Sequence, residues 1–221
     1  MQVEVEGLKA LMTETKESAV SHISFLKGML MGKECVVAQC GIGKVNAAVC
    51  AQTMLLTHQP DCVINLGVAG AMGRGIQIGD VVIATDVIQH DMDTTAVGDA
   101  RGWISGIDRV RIPCDESLSA RLAAAGVAAG LTVHRGTILT GDQFIAKKET
   151  LNQLMADFRG VACEMEGGSI GQVCCLNGVP FAVVRAISDQ ANDDAHVDYS
   201  QFVQTAAQRS IKLVSAFLQS I

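Results

Sequence analysis

The stretch that most limits what this chain can fold into is Phe181 to Ile187, a near-continuous apolar run bounded by Pro180 and by Ser188-Asp189. Such a run reads as a strand buried on both faces, as in a sheet covered by helices on either side. Just upstream, a small-residue helical pattern from Ser169 to Leu176 stops at Asn177-Gly178, and Pro180 reinforces the stop. Before that helix, Glu164 and Glu166 lie two apart, so an extended backbone there turns both carboxylates to one side. One charge, Arg185, sits inside the apolar run, where it is costly unless paired. Acids and an arginine at the carboxyl ends of strands mark the place where open α/β sheets hold ligands.

The rest of the chain extends the pattern. Val3 to Met12 has helical apolar spacing. Val20–Leu30 and Glu34–Gln39 read as a strand pair, and Lys44–Leu56 as a helix. Asp61–Leu66 and Asp80–Ile88 are strands, followed by a polar loop from His90 to about Ile107. Asp115–Ala125 and Lys147–Met155 are helical, Leu131–Leu139 is a strand, and Tyr199–Leu218 closes the chain as a helix. Strands alternate with helices, without an internal repeat or a low-complexity linker. The prediction is a single α/β domain over residues 1–221, with a parallel or mixed sheet.

Composition removes several classes of function. The net charge of −6 has no basic stripe, which argues against nucleic acid and anionic membranes. No apolar run spans a bilayer, and no signal-peptide pattern opens the chain. The eight cysteines form no C-x-x-C pair and mostly lie within strand or helix patterns, as free thiols do in reducing cytosol. Hydrophobic residues make up 49%, leaving apolar surface that a subunit interface can bury. Gly41-Ile-Gly43-Lys44 hints at a phosphate loop, but Ala38 and Val45 stand where Walker A needs Gly and Ser or Thr. Asn65-Leu-Gly67-Val-Ala-Gly70 follows a strand as a dinucleotide turn does, yet its glycine spacing is wrong and no acid follows at the usual distance.

Cys163-Glu-Met-Glu166 and Val184-Arg-Ala-Ile-Ser-Asp189 resemble the bacterial 5′-methylthioadenosine/S-adenosylhomocysteine nucleosidases of the nucleoside phosphorylase superfamily. The likeness continues, in the same order, through Cys40-Gly-Ile-Gly-Lys-Val-Asn-Ala47, Asn65-Leu-Gly-Val-Ala-Gly70, Gly79-Asp-Val-Val82 and Thr140-Gly-Asp-Gln-Phe-Ile145. It implies a three-layer α/β/α sandwich around a central mixed sheet. It also implies a cytoplasmic homodimer that takes a small nucleoside and needs no metal or organic cofactor. The implied reaction is hydrolysis of an N-glycosidic bond to adenine; the alternatives are another purine nucleosidase or phosphorylase of the superfamily, such as a futalosine hydrolase, or a catalytically impaired nucleoside binder.

The chemistry fits the residues. Expelling adenine requires a general acid that stays protonated at neutral pH, and burial at the end of an apolar strand suits Asp189 to that task. By resemblance Asp189 is that acid and Glu4 activates water, although two neighbouring acids common in the family are Gln2 and Val3 here. Glu166 holds the ribose hydroxyls, Met165 lies beneath the sugar and Glu164 supplies a second carboxylate. Phe144 faces the base with Ile145 backbone groups at its edge, while Arg185, Ser188, Ile42 and Tyr199 complete the pocket. The expected partner of Arg185 is the carboxylate that holds the attacking water. Asn65 and Val68 replace the phosphate-binding Arg and Ser of the phosphorylases, which favours water as nucleophile. Val68 also departs from the nucleosidases' usual Ser, and Val97 from an aromatic contributed across a dimer interface.

The family's opening apolar strand leads into a Met-Glu-Glu-Glu turn, and Met1 aligns with that Met. The strand has no counterpart in the given sequence. The expectation is a groove with unpaired backbone groups in the sheet and a segment missing upstream.

Overall fold

A computed structural model describes residues 1–221. The chain runs α1 (Gln2–Lys9), β1 (Met12–Val20), β2 (Ile23–Leu30), β3 (Lys33–Ala38), α2 (Lys44–His58), β4 (Val63–Ala71) and β5 (Val81–Gln89). It continues β6 (Ile112–Pro113), α3 (Glu116–Ala128), β7 (Val133–Thr140), α4 (Lys148–Phe158), β8 (Ala162–Glu164), α5 (Gly167–Asn177), β9 (Phe181–Asp189) and α6 (Ala195–Gln219).

Several boundaries follow from local chemistry. Asp115 caps α3 by accepting the Leu118 N–H at 2.7 Å. Gly178, at φ 67°, ends α5 in the left-handed conformation. On α6, Ala206, Ser210, Leu213, Val214 and Phe217 recur at helical spacing and form its buried face.

Six strands form a mixed sheet in the order β6-β5-β7-β8-β4-β9, and β9 also pairs antiparallel with β5, closing the sheet on itself. Helices cover both faces. On one side α2 and α5 contribute Ala47, Ala51, Leu55, Ile170 and Val173 to a core of 21 residues. On the other, α1, α3 and α6 contribute Leu8, Leu118, Leu122, Leu213 and Phe217 to a core of 18. The three-layer expectation holds, and β9 is buried along its whole length as its apolar run predicts.

The amino-terminal part differs from the expectation. Helix α1 stops at Lys9 instead of Met12, and Met12 opens a strand that the sequence reading omits. Strand β1 is solvent-exposed at every residue after Met12, so its sequence lacks the apolar alternation that marks a half-buried strand. Strands β1, β2 and β3 form a separate antiparallel sheet. Val63 to Ala69 of β4 pairs with β9 alone, and β3 is the outer strand of its own sheet, so both keep an open edge. Helix α6 begins at Ala195, four residues before the expected Tyr199.

Candidate active site

Strands β4 and β9 lie parallel, with Gly67 opposite Arg185 and Gly70 opposite Asp189 across a bulge after Ala69. The register explains both glycines. A Cβ on Gly67 would overlap the Arg185 guanidinium, and one on Gly70 would lie 2.7 Å from Asp189 Oδ1. The backbone approach that suggested a dinucleotide turn serves two side chains of the neighbouring strand.

Asp189 is 3% exposed. The Ala191 N–H donates to its Oδ1 and the Ser188 hydroxyl to its Oδ2, each at 2.9 Å. Burial pushes its carboxyl above the ordinary aspartate range, against the opposing pull of those two donors. Ala191 adopts a left-handed φ of 50°, unusual for a residue with a side chain, and this strained turn aims its N–H back at Asp189.

Arg185, 1% exposed, does not pair with Glu4 as expected. Its Nε donates to Glu164 Oε2 at 3.0 Å, its Nη2 bonds the same oxygen, and Nη2 also donates to Asn65 Oδ1 at 2.6 Å. Glu164 is saturated in turn: it accepts from the Thr140 hydroxyl and from the N–H groups of Glu166 (3.1 Å) and Gly167 (2.8 Å). Burial raises the Glu164 carboxyl, but Arg185 and these donors outweigh it and hold the group below its usual value. Glu164 is therefore an internal ion-pair partner with both oxygens engaged by protein donors.

Glu166 follows β8 as the N-cap residue of α5. Its Oε1 accepts the Gly43 N–H at 3.1 Å, at the start of α2, and its Oε2 lies 3.6 Å from Arg185. Gly41 and Gly43, at φ 82° and 91°, make the turn that presents this N–H, so the glycine pair binds a carboxylate where a nucleotide loop would bind phosphate. Burial raises the Glu166 carboxyl, and the Glu164 charge adds to the shift against the attraction of Arg185.

Glu4, 2% exposed in the first turn of α1, lies 2.8 Å from the Met1 amino group. The Tyr199 ring of α6 meets Phe144 edge-on at 5.7 Å, with Phe144 half exposed and the next residue, Ile145, buried. Burial pushes the Tyr199 phenol up, and the charges of Glu4, Glu166 and Asp189 push it further. All three carboxylates therefore lie within electrostatic reach of this phenol, whose hydroxyl donates to Met1 Sδ at 3.3 Å. Met165 is half-buried next to Glu166, Ser188 is buried behind Asp189, and Ile42 is exposed at the glycine turn.

The family model of the phosphorylase superfamily matches residues 1–219. The chain belongs to that superfamily. A 5′-methylthioadenosine/S-adenosylhomocysteine nucleosidase of Actinobacillus succinogenes is 40% identical over 222 residues, covering 100% of this chain and 96% of the relative. The solved structure of the same kind of nucleosidase from Neisseria meningitidis, in complex with methylthio-immucillin-A, superposes with a TM-score of 0.96 at 37% identity, covering 100% and 96% of the two chains. A futalosine hydrolase mutant of Helicobacter pylori superposes at 0.95 with 31% identity and the same coverage. Within this superfamily fold the sequence reading missed Asn65 and Thr140 as partners of the Arg185–Glu164 pair. Both are buried polar residues of sheet strands, a signal that sequence periodicity does not resolve.

Proposed function

We propose that this chain hydrolyses the N-glycosidic bond of 5′-methylthioadenosine and S-adenosylhomocysteine, releasing adenine. The observation that carries the reading is Asp189 buried at the end of β9 with its carboxyl raised by that burial, and with Glu4 and Glu166 within electrostatic reach of the same Tyr199 phenol. A buried acid that keeps its proton can hand it to N7 of the purine as the bond breaks. The sugar then carries positive charge, and Glu166 holds its hydroxyls while supplying nearby negative charge. Glu4, buried in the first turn of α1, takes a proton from the attacking water. Phe144 and Ile145 receive the base, and Met165 and Ile42 bound the sugar and its 5′-substituent. Asn65 is engaged with Arg185, which supports water over phosphate as the nucleophile. No helix is long and apolar enough to cross a membrane, and free cysteines support a reducing, cytoplasmic setting.

Incubating the protein with 5′-methylthioadenosine, S-adenosylhomocysteine and futalosine in phosphate-free buffer tests the reading. Adenine is expected from the first two. Preference for futalosine, with hypoxanthine as the base released, would move the chain to the other hydrolase.

The working unit in this reading is a homodimer. Val45, Val49 and Leu56 form an exposed apolar stripe on α2, continued by Ile42 before it and by Leu176 on the neighbouring α5. Val45 is 74% exposed, so Val45→Glu adds a charge to this face without touching the core. The expected result by light scattering is twice the 23.2 kDa chain mass for the parent and a shift toward the chain mass for the variant. Identical masses for the two proteins would take the stripe out of the interface.

A further inference from the structure

Helix α5 begins at the site, yet its N-cap residue does not cap it. The Glu166 side chain makes no bond to its own helix and reaches α2 instead. The orphan N–H groups of the first turn are met by two side chains from other strands. Glu164, at the end of β8, accepts the N–H groups of Glu166 and Gly167. Thr140, at the end of β7, accepts the Gly168 N–H at 2.7 Å and donates its one hydroxyl proton to Glu164 Oε1. Thr140 has no exposed surface, and a Cβ on Gly168 would come within 2.9 Å of its Cβ and Oγ1. The hydroxyl is thus fixed between the helix start and the carboxylate beside it.

We propose that Thr140 is a positioning residue for sugar recognition: its hydroxyl, shared between Glu164 and the first turn of α5, sets the direction of the Glu166 carboxylate. The inference rests on the nucleosidase reading for the identity of the sugar. Capping from β7 and β8 frees the Glu166 side chain, which an ordinary N-cap residue would spend on its own helix. It also ties the Glu166 backbone to the Arg185–Glu164 pair, so the carboxylate has one approach to a ligand. Removing the hydroxyl leaves the Gly168 N–H unpaired and lets Glu164 turn, and the helix start moves with it. A misplacement of about 1 Å at a site of this kind costs on the order of 10²-fold in rate.

The test compares Thr140→Val, which keeps the shape and removes the hydroxyl, with Thr140→Ser, which keeps the hydroxyl. Each is measured with 5′-methylthioadenosine and its 2′-deoxy counterpart, as kcat/KM from adenine release and as Kd from calorimetry. Thr140→Val is expected to lose on the order of 10²-fold with the ribonucleoside. The loss with the deoxy compound is smaller, so discrimination by the 2′-hydroxyl shrinks, and Thr140→Ser restores it. A structural role alone would lower the melting temperature or both kcat/KM values together and leave the ratio unchanged; that outcome overturns the proposal. So does a serine variant that behaves like the valine one. Adenine release absent from the parent protein overturns the nucleosidase reading instead, and the Kd ratio then decides the role of Thr140. A parent that binds neither nucleoside overturns both.

Discussion

Asp189→Asn lowers turnover of 5′-methylthioadenosine by at least about 10²- to 10⁴-fold, the contribution of a positioned general acid, while binding persists. An amide of the same shape fills the space and can still accept the Ala191 N–H, but it cannot protonate the leaving base. The variant also gains stability relative to the parent as pH rises. Burial lifts the folded-state carboxyl above its ordinary value, so the native protein holds this proton more tightly than the unfolded chain. The stability from that proton is fully present below the unfolded pKa of about 3.9 and is lost as pH climbs through the folded value. Asparagine has no such loss, so the difference in melting temperature should widen in the variant's favour across that window. Turnover within tenfold of the parent, or a thermal difference that does not change with pH, removes Asp189 from the role of buried acid.

Arg185→Met has the largest expected effect on stability. The guanidinium is the charge partner of a fully buried Glu164, and deleting it leaves a carboxylate without compensation inside the sheet. Breaking a buried pair from one side costs about 3–5 kcal/mol. For a chain of this size that corresponds to roughly 6–20 °C in melting temperature. Adding Glu164→Gln removes the stranded charge while keeping an acceptor for the helix N–H groups, so the double variant should recover most of the stability. It should not recover activity, because Glu166 has lost its nearby cation. Chemical denaturation of the single and double variants checks this, and a single variant within about 1 kcal/mol of the parent contradicts the pairing, since surface ion pairs are worth no more than that.

The parts of the fold legible in the sequence were those with strong local signals. Phe181–Asp189 announced a doubly buried strand by its unbroken apolar character, and Asn177-Gly178 announced a helix end by its turn chemistry. Strand β1 was illegible because an edge strand facing solvent carries polar residues with no period of two. In the site, Asp189 stood out as the acid ending an apolar strand, and its burial agrees with that reading, while Glu166, just past the end of β8, is only partly buried. The partner of Arg185 could not be read in the same way. Which of several carboxylates meets a buried arginine depends on the register of β4 against β9 and on where β8 ends, a tertiary fact with no local trace. Asn65 and Thr140 were hidden for the same reason, each being one polar residue in a strand whose function appears only across the sheet.

The measurement that bears most directly on the account is hydrolysis of 5′-methylthioadenosine in ¹⁸O-labelled water with inorganic phosphate present, followed by mass spectrometry of both products. The account predicts unlabelled adenine and a free methylthioribose carrying one ¹⁸O, with no phosphorylated sugar. A sugar 1-phosphate, or an intact nucleoside after prolonged incubation, would contradict it.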